Sequence, residues 1–302
     1  MAGFAAQTGS FGLIGSAVRC MLGERFTLRT IDIHPAADLV VDLSEPDSIA
    51  ALDLNGCEVL VHCAGIVDED FSNTGRAFRQ ATQGMAALVA RAKACGVKRF
   101  VYISSAHVYG PFQGRKTEAS PPNPLSDYAI AHFASEQILR RATGPKFRAQ
   151  VLRPCAVFGI PPDVTRFRRW ALIPFGFPKS LVDDGVVKLK SSGLQHRNFV
   201  ATDDIARAIG LWLDNANVAA FTLTNPVGKT SMTVYDFGLM CAEIAGRVTG
   251  RPCRVVRPDG APGAPDDFDY ATGDTRNTGD TDLAATIERL TELLQAAHGG
   301  GI

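Results

Sequence analysis

Thr8-Gly9-Ser10-Phe11-Gly12-Leu13-Ile14-Gly15 places glycines at a G-x-x-G-x-x-G spacing near the amino terminus, and an amphipathic run with Leu13, Ile14, Ala17, Val18, Met21 and Leu22 at helical intervals follows at once. Glycine admits positive φ and lets a phosphate approach the backbone, while a helix start offers unpaired N–H groups and the positive end of its dipole. Glycines alone also make ordinary turns. Asp32 narrows the reading, because it closes the second predicted strand twenty residues after Gly12. A carboxylate there accepts hydrogen bonds from adenosine ribose hydroxyls and repels a 2′-phosphate, so the expected cofactor is NAD rather than NADP. A solvated Asp in a turn is the alternative.

The segments around this motif repeat short apolar runs and longer amphipathic ones through about residue 155, the rhythm of βαβ units. Strands are predicted at Phe26 to Ile33, Glu58 to Cys63, Arg99 to Ser104 and Ala149 to Leu152, with a helix over Met85, Leu88, Val89 and Ala92. The first strand, within Met1 to Gln7, is weak, since Phe4 is its only large apolar residue. After Gly159 the prolines Pro161, Pro162, Pro174 and Pro178 break the rhythm. Helices are then expected at Thr202 to Leu213, Val234 to Thr249 and Asp282 to Ala297, strands at Phe221 to Thr224 and Arg254 to Val256, and a frayed end at Gly299 to Gly301. The fold expected is α/β: a doubly wound parallel sheet of the Rossmann kind over residues 1–158, with 199–216 packing back onto it, and a smaller C-terminal α/β substrate lobe from 159–198 and 217–302.

Charge and cysteine usage bound the partners. Thirty-one basic residues balance thirty-one acidic ones, which argues against nucleic acid or an anionic membrane and for a small-molecule substrate. Seven scattered cysteines without a C-x-x-C pair argue against a metal site and a disulfide framework, and a cytoplasmic location is expected. No apolar stretch is long enough to cross a bilayer.

Further motifs in order sharpen the picture: Asp42-Leu43, His62-Cys63-Ala64-Gly65, Gly96 to Ser105 followed by Ala106-His107-Val108-Tyr109-Gly110, Pro122-Asn123-Pro124 leading to Tyr128, Leu152-Arg153-Pro154 before Val157-Phe158-Gly159, and Arg197-Asn198-Phe199-Val200 before Asp203-Asp204-Ile205-Ala206. With the glycine motif, this series resembles the extended short-chain dehydrogenase/reductase family of the NAD-dependent epimerase/dehydratase type. The resemblance implies an oxidoreductase or isomerase, usually acting on a nucleotide sugar, and a homodimer formed through the helices that carry Met85 and Tyr128. It implies Ser105, Tyr128 and His132 as catalytic residues and a cofactor lined by Gly9, Gly12, Leu13, Ile14, Gly15, Asp32, Asp42, Leu43, Cys63, Ala64 and Gly65, together with Tyr128 and His132.

Three positions depart from the family pattern. His132 stands where a lysine one helical turn after the tyrosine stabilises the phenolate and holds the nicotinamide ribose, and an imidazole that is mostly neutral at pH 7 supplies no permanent cation. Ala81 replaces an asparagine, and Ala156 replaces the asparagine that often faces the substrate diphosphate. His107 is a candidate substrate-binding proton carrier, or a histidine satisfied by its surroundings. Arg197 is a candidate for a substrate phosphate, or a surface ion pair. The run Arg166, Arg168 and Arg169 either adds to an anionic pocket or, as is commoner for such a run, forms a solvated helix face. Two functions fit: an NAD-dependent oxidoreductase or epimerase with a Tyr-x-x-x-His site, and a catalytically impaired NAD-binding or ligand-sensing protein.

Overall fold

The computed structural model describes residues 4–258 and 263–299. Residues 1–3 of the predicted first strand and 300–301 of the expected frayed end lie outside them. Seven strands form one parallel sheet in the order Phe221–Thr224, Arg148–Leu152, Arg99–Ile103, Cys57–His62, Phe4–Thr8, Thr27–Asp32 and Leu39–Val40. The strand order reverses between Phe4–Thr8 and Cys57–His62, where Thr8 pairs with His62. Such a reversal opens a crevice beyond the carboxyl ends of the strands.

The weakest predicted strand sits at the centre. Ala5 and Ala6 are fully buried, and small side chains suit a strand covered on both faces. On one face lie Leu43, Ile49, Met85, Leu88 and Leu139, and on the other Val18, Leu22, Ile205, Ile209 and Trp212. The helix Thr202–Asp214 lies against the helix Leu13–Gly23, so residues 202–214 belong to the larger layer.

The smaller lobe has a three-stranded sheet, Thr230–Thr233, His196–Ala201 and Ala156–Phe158, backed by the helices Ile173–Asp184, Val234–Thr249 and Leu283–Gly299. Phe158, Phe199, Phe237 and Ile287 fill its core. Two segments lie on the other side of the expected division. Phe221–Thr224 joins the large sheet because the open edge of Arg148–Leu152 offers it a full parallel ladder, and Ala156–Phe158 pairs with His196–Ala201 in the lobe. The segment carrying Arg166, Arg168 and Arg169 is irregular rather than helical, so no shared helix face exists there. The seven cysteines are free, and no cluster of metal-ligating side chains occurs among the described residues. No described helix is long and apolar enough to cross a membrane.

Candidate active site

The glycine turn is dictated by backbone crowding. Gly9 has φ +66°, and a Cβ there would stand 2.5 Å from Ala64 N and 2.7 Å from the Cys63 carbonyl carbon. A Cβ on Gly15 would stand 1.8 Å from Gly9 O. The turn therefore lies directly against the Cys63-Ala64 end of the neighbouring strand. Gly12 caps the helix Leu13–Gly23 without a side-chain hydrogen bond, and no acidic residue occupies its first turn. Its leading N–H groups thus remain available to an anion.

Asp32 stands at the rim of this turn. Its carboxylate accepts from Phe11 N at 3.1 Å and from His34 N at 3.1 Å, one bond per oxygen. Each oxygen keeps further lone-pair capacity for ribose hydroxyls. Phe11 stacks on His34 at 4.4 Å, with Arg19 over its other side. Farther from the glycine turn, Asp42 accepts from Ser44 N and Oγ and pairs with Arg76 at 2.7 Å. Burial alone would raise the Asp42 carboxyl, but these donors outweigh it and hold it below the usual range. Leu43 lies behind, its carbonyl so close to the helix that a Cβ on Gly84 would stand 2.1 Å away. A single π-type turn, Gln80–Gly84, makes this approach and leaves the Ala81 carbonyl to accept from Ser135 Oγ at 2.7 Å. Free glycine turn, bare helix start and rim carboxylate together suit an adenine dinucleotide.

The second half of the site sits on the strand Arg99–Ile103 and the helix Asp127–Ala142. Ser105 caps the short helix Ala106–Tyr109 by accepting from His107 N, which leaves its own proton free to donate. Tyr128 lies in the first turn of its helix, positioned by the Ser126 cap, and lines the same cavity as Ser105. Burial raises the phenol above its ordinary value, with Ser105 acting in the opposite sense. Beneath the site, Arg153 donates twice to Glu136 at 2.9 and 2.5 Å, and Ser104 Oγ donates to the same carboxylate. This buried pair fixes the strand end that carries Ser105.

His132 lies one helical turn beyond Tyr128, with ring centroids 4.5 Å apart. Its Nε2 faces the Ile66 carbonyl at 3.1 Å and its Nδ1 faces the Tyr102 hydroxyl at 2.7 Å. A carbonyl only accepts, so Nε2 carries the hydrogen and Nδ1 accepts from Tyr102. Burial drives the imidazole down to about 3, and the ring is neutral and fully engaged. His62 behaves alike: it is buried, bonded through Nδ1 to Thr8 Oγ1 at 2.6 Å, stacked on Tyr102, and lowered by burial to about 4. Cys63 is pushed up to about 12 by burial, so its thiol is inert. Gly65 faces His132 Cε1.

A cavity of about 290 Å³ joins these parts, lined among others by Leu13, Ile14, Ser105, His107, Tyr128 and Arg197. His107 is held between Phe112 at 4.8 Å and the edge of Tyr128 at 5.7 Å, and its ring nitrogens make no hydrogen bond among the described residues. Desolvation by the surrounding rings lowers its basicity, although the side chain keeps an exposed edge. Arg197 lies over Phe112 at 4.6 Å and donates to His196 O. Asp32, Asp42 and Leu43 lie away from this cavity, toward the opposite end of the glycine turn. Arg169 lines it too, while Arg166 and Arg168 are exposed. Of the three arginines that the sequence offers as pocket or solvated face, only Arg169 enters the cavity, and its alternation with the partly buried Phe167 and Trp170 is the available signal. Tyr102, Glu136 and Ile66 were passed over.

The model of the NAD dependent epimerase/dehydratase family matches residues 8–222. An N-acetyl-alpha-D-glucosaminyl-diphospho-ditrans,octacis-undecaprenol 4-epimerase of Escherichia coli O157:H7 is 24% identical over 279 residues, 82% of this chain and 81% of that protein. An ADP-L-glycero-D-manno-heptose-6-epimerase of Thiobacillus denitrificans is 24% identical over 72% of both chains. Among solved structures, MoeE5 in complex with UDP-glucose and NAD superposes with a TM-score of 0.78 at 20% identity, covering 98% of this chain and 100% of that one. A UDP-glucuronic acid 4-epimerase from Bacillus cereus in complex with NAD gives 0.78 at 17% identity, over 99% and 98%.

Proposed function

The chain belongs to the NAD dependent epimerase/dehydratase family, and from that membership we propose that it is an NAD-dependent enzyme acting on a hydroxyl or keto carbon of a nucleotide sugar. The observation that carries the reading is one cavity in which Ser105, Tyr128, His107 and Arg197 meet Leu13 and Ile14 of the glycine turn. The dinucleotide would lie on Gly9, Gly12 and Gly15, its adenosine ribose on Asp32, its adenine near Asp42 and Leu43, and its nicotinamide end beside Cys63, Ala64, Gly65 and Tyr128. When bound, the nicotinamide takes up and returns a hydride.

The protein's own groups handle the proton. Ser105 donates to the substrate oxygen, and Tyr128 takes the hydroxyl proton as the carbonyl forms and returns it on reduction. Arg197 faces a substrate phosphate, and His107 presents an uncommitted imidazole to the sugar. His132 positions: it holds the Ile66 turn and supports the Tyr128 ring, and it bears no charge. A homodimer through the helices Met85–Ala94 and Asp127–Ala142 is part of this proposal, and the molar mass read by size-exclusion chromatography with light scattering checks it.

Incubation with NAD and UDP-linked hexoses tests the activity, read as nicotinamide absorbance and as epimeric or dehydrated sugar product. Tyr128→Phe is expected to lower turnover at least about a hundredfold. An unchanged rate in that variant removes Tyr128 from the mechanism. One observation favours the second reading, a ligand-sensing NAD-binding protein: both nitrogens of His132 are consumed by Tyr102 and Ile66. Coenzyme binding without conversion of any sugar nucleotide is its expected result.

A further inference from the structure

We propose that Arg169, contributed by the smaller lobe, supplies the permanent positive charge that acts on Tyr128. The inference rests on the catalytic reading of Tyr128 given above and adds a residue to it. Position 132 cannot carry that charge, because its imidazole is buried and commits its single hydrogen to the Ile66 carbonyl.

Arg169 reaches the cavity that Tyr128 lines. Its neighbours Phe167, Trp170 and Leu172 pack, as Leu13 does, against the buried cluster of Phe175, Val182 and Leu290. Its guanidinium has no strong partner. The Nε is buried and makes no hydrogen bond, and the nearest carboxylate, Glu69, stands at 3.7 Å, beyond hydrogen-bonding distance. Glu69 is partly exposed, so water screens the pair and Arg169 keeps much of its field.

The charged and titratable groups around the phenol are few. Arg169 and Asp68 line the same cavity as Tyr128 and Glu69 lies beside Arg169, with Arg169 favouring the phenolate and the two carboxylates opposing it. His107 lies edge-on from the strand side, with Arg197 beyond it. His132 and Tyr102 lie behind and are uncharged. Arg169 is thus the cation that acts directly on Tyr128, and an arginine stays protonated at every working pH. The carboxylate that tempers it comes from the other half of the cleft.

The test compares Arg169→Gln, Arg169→Lys and Glu69→Gln, using ring-labelled tyrosine NMR to follow the Tyr128 phenol, with Tyr128→Phe identifying its signal. No coenzyme or turnover is needed for this readout. Arg169→Gln is expected to raise the phenol midpoint by roughly half to one pH unit, and Glu69→Gln to lower it. Arg169→Lys should stay near the parent value. In the active enzyme, the alkaline-side midpoint of kcat/KM should move in the same directions. Opposite signs for the two neutral variants are not produced by a loss of packing. An unmoved midpoint in Arg169→Gln overturns the proposal, as does an equal shift in Arg169→Lys. A loss of NAD affinity in Arg169→Gln with the midpoint unmoved also overturns it and makes the residue a phosphate ligand. Absence of turnover in the parent protein refutes the catalytic reading while leaving the NMR outcome to decide the electrostatic one.

Discussion

The Tyr102 hydroxyl donates to Nδ1 of His132 at 2.7 Å, joining the strand Arg99–Ile103 to the helix that bears Tyr128. Both side chains are buried, so neither group has water as a substitute partner. Tyr102→Phe leaves Nδ1 without its donor and is expected to cost about 1–3 kcal/mol. Urea unfolding measures it, and a cost below about 0.3 kcal/mol would show the bond to be replaceable.

Acid should destabilise the fold through two histidines. His62 and His132 are lowered by burial to about 4 and about 3, so below their ordinary value of 6.5 the unfolded chain binds protons that the folded one refuses. Stability is therefore full above about pH 6.5 and falls as the pH drops toward the folded values, by up to about 1.4 kcal/mol per pH unit for each ring. Denaturation midpoints between pH 7 and 4.5 check this. His132→Gln should flatten the slope even though it lowers the plateau.

Gly15→Ala tests the dinucleotide cradle. Its Cβ would stand 1.8 Å from Gly9 O, so the turn must open or the helix must retreat. NAD affinity is expected to fall more than about tenfold, equivalent to roughly 1.4 kcal/mol, as calorimetry would read it. Retained affinity would place the coenzyme elsewhere.

The Arg153–Glu136 pair supports Ser105 from below, with side chains 4% and 1% exposed. Arg153→Met alone strands a buried carboxylate and is expected to cost about 3–5 kcal/mol. The double variant Arg153→Met with Glu136→Leu should recover part of that loss. A double-mutant cycle in thermal or urea unfolding separates the two outcomes.

Much of this architecture was readable in advance, and for physical reasons. The glycine spacing, the strand-closing Asp32 and the apolar runs are local patterns whose consequences are local, so their elements fell within a residue or two of the predicted limits. Phe4–Thr8 looked weak because propensity rewards large side chains, whereas a strand sandwiched between helices rewards small ones. Phe221–Thr224 was assigned to the wrong sheet because its length and composition fit any edge, and only the vacant ladder beside Arg148–Leu152 decides. The state of His132 was equally out of reach. Its neutrality comes from burial and its tautomer from Tyr102 and Ile66, which lie 30 and 66 residues away in sequence. Which of Arg166, Arg168 and Arg169 enters the cavity is likewise not written in the run itself, because only the fold turns Arg169 inward.

The π-type turn at Gln80–Gly84 has a mechanical consequence. It presses Gly84 onto the Leu43 carbonyl on one side and offers the Ala81 carbonyl to Ser135 on the other. The Asp42-Leu43 loop and the Tyr128-bearing helix are thereby bolted to a single bracket. On the coenzyme placement proposed above, a tug at Asp42 would reach the Tyr128 helix through that one rigid link.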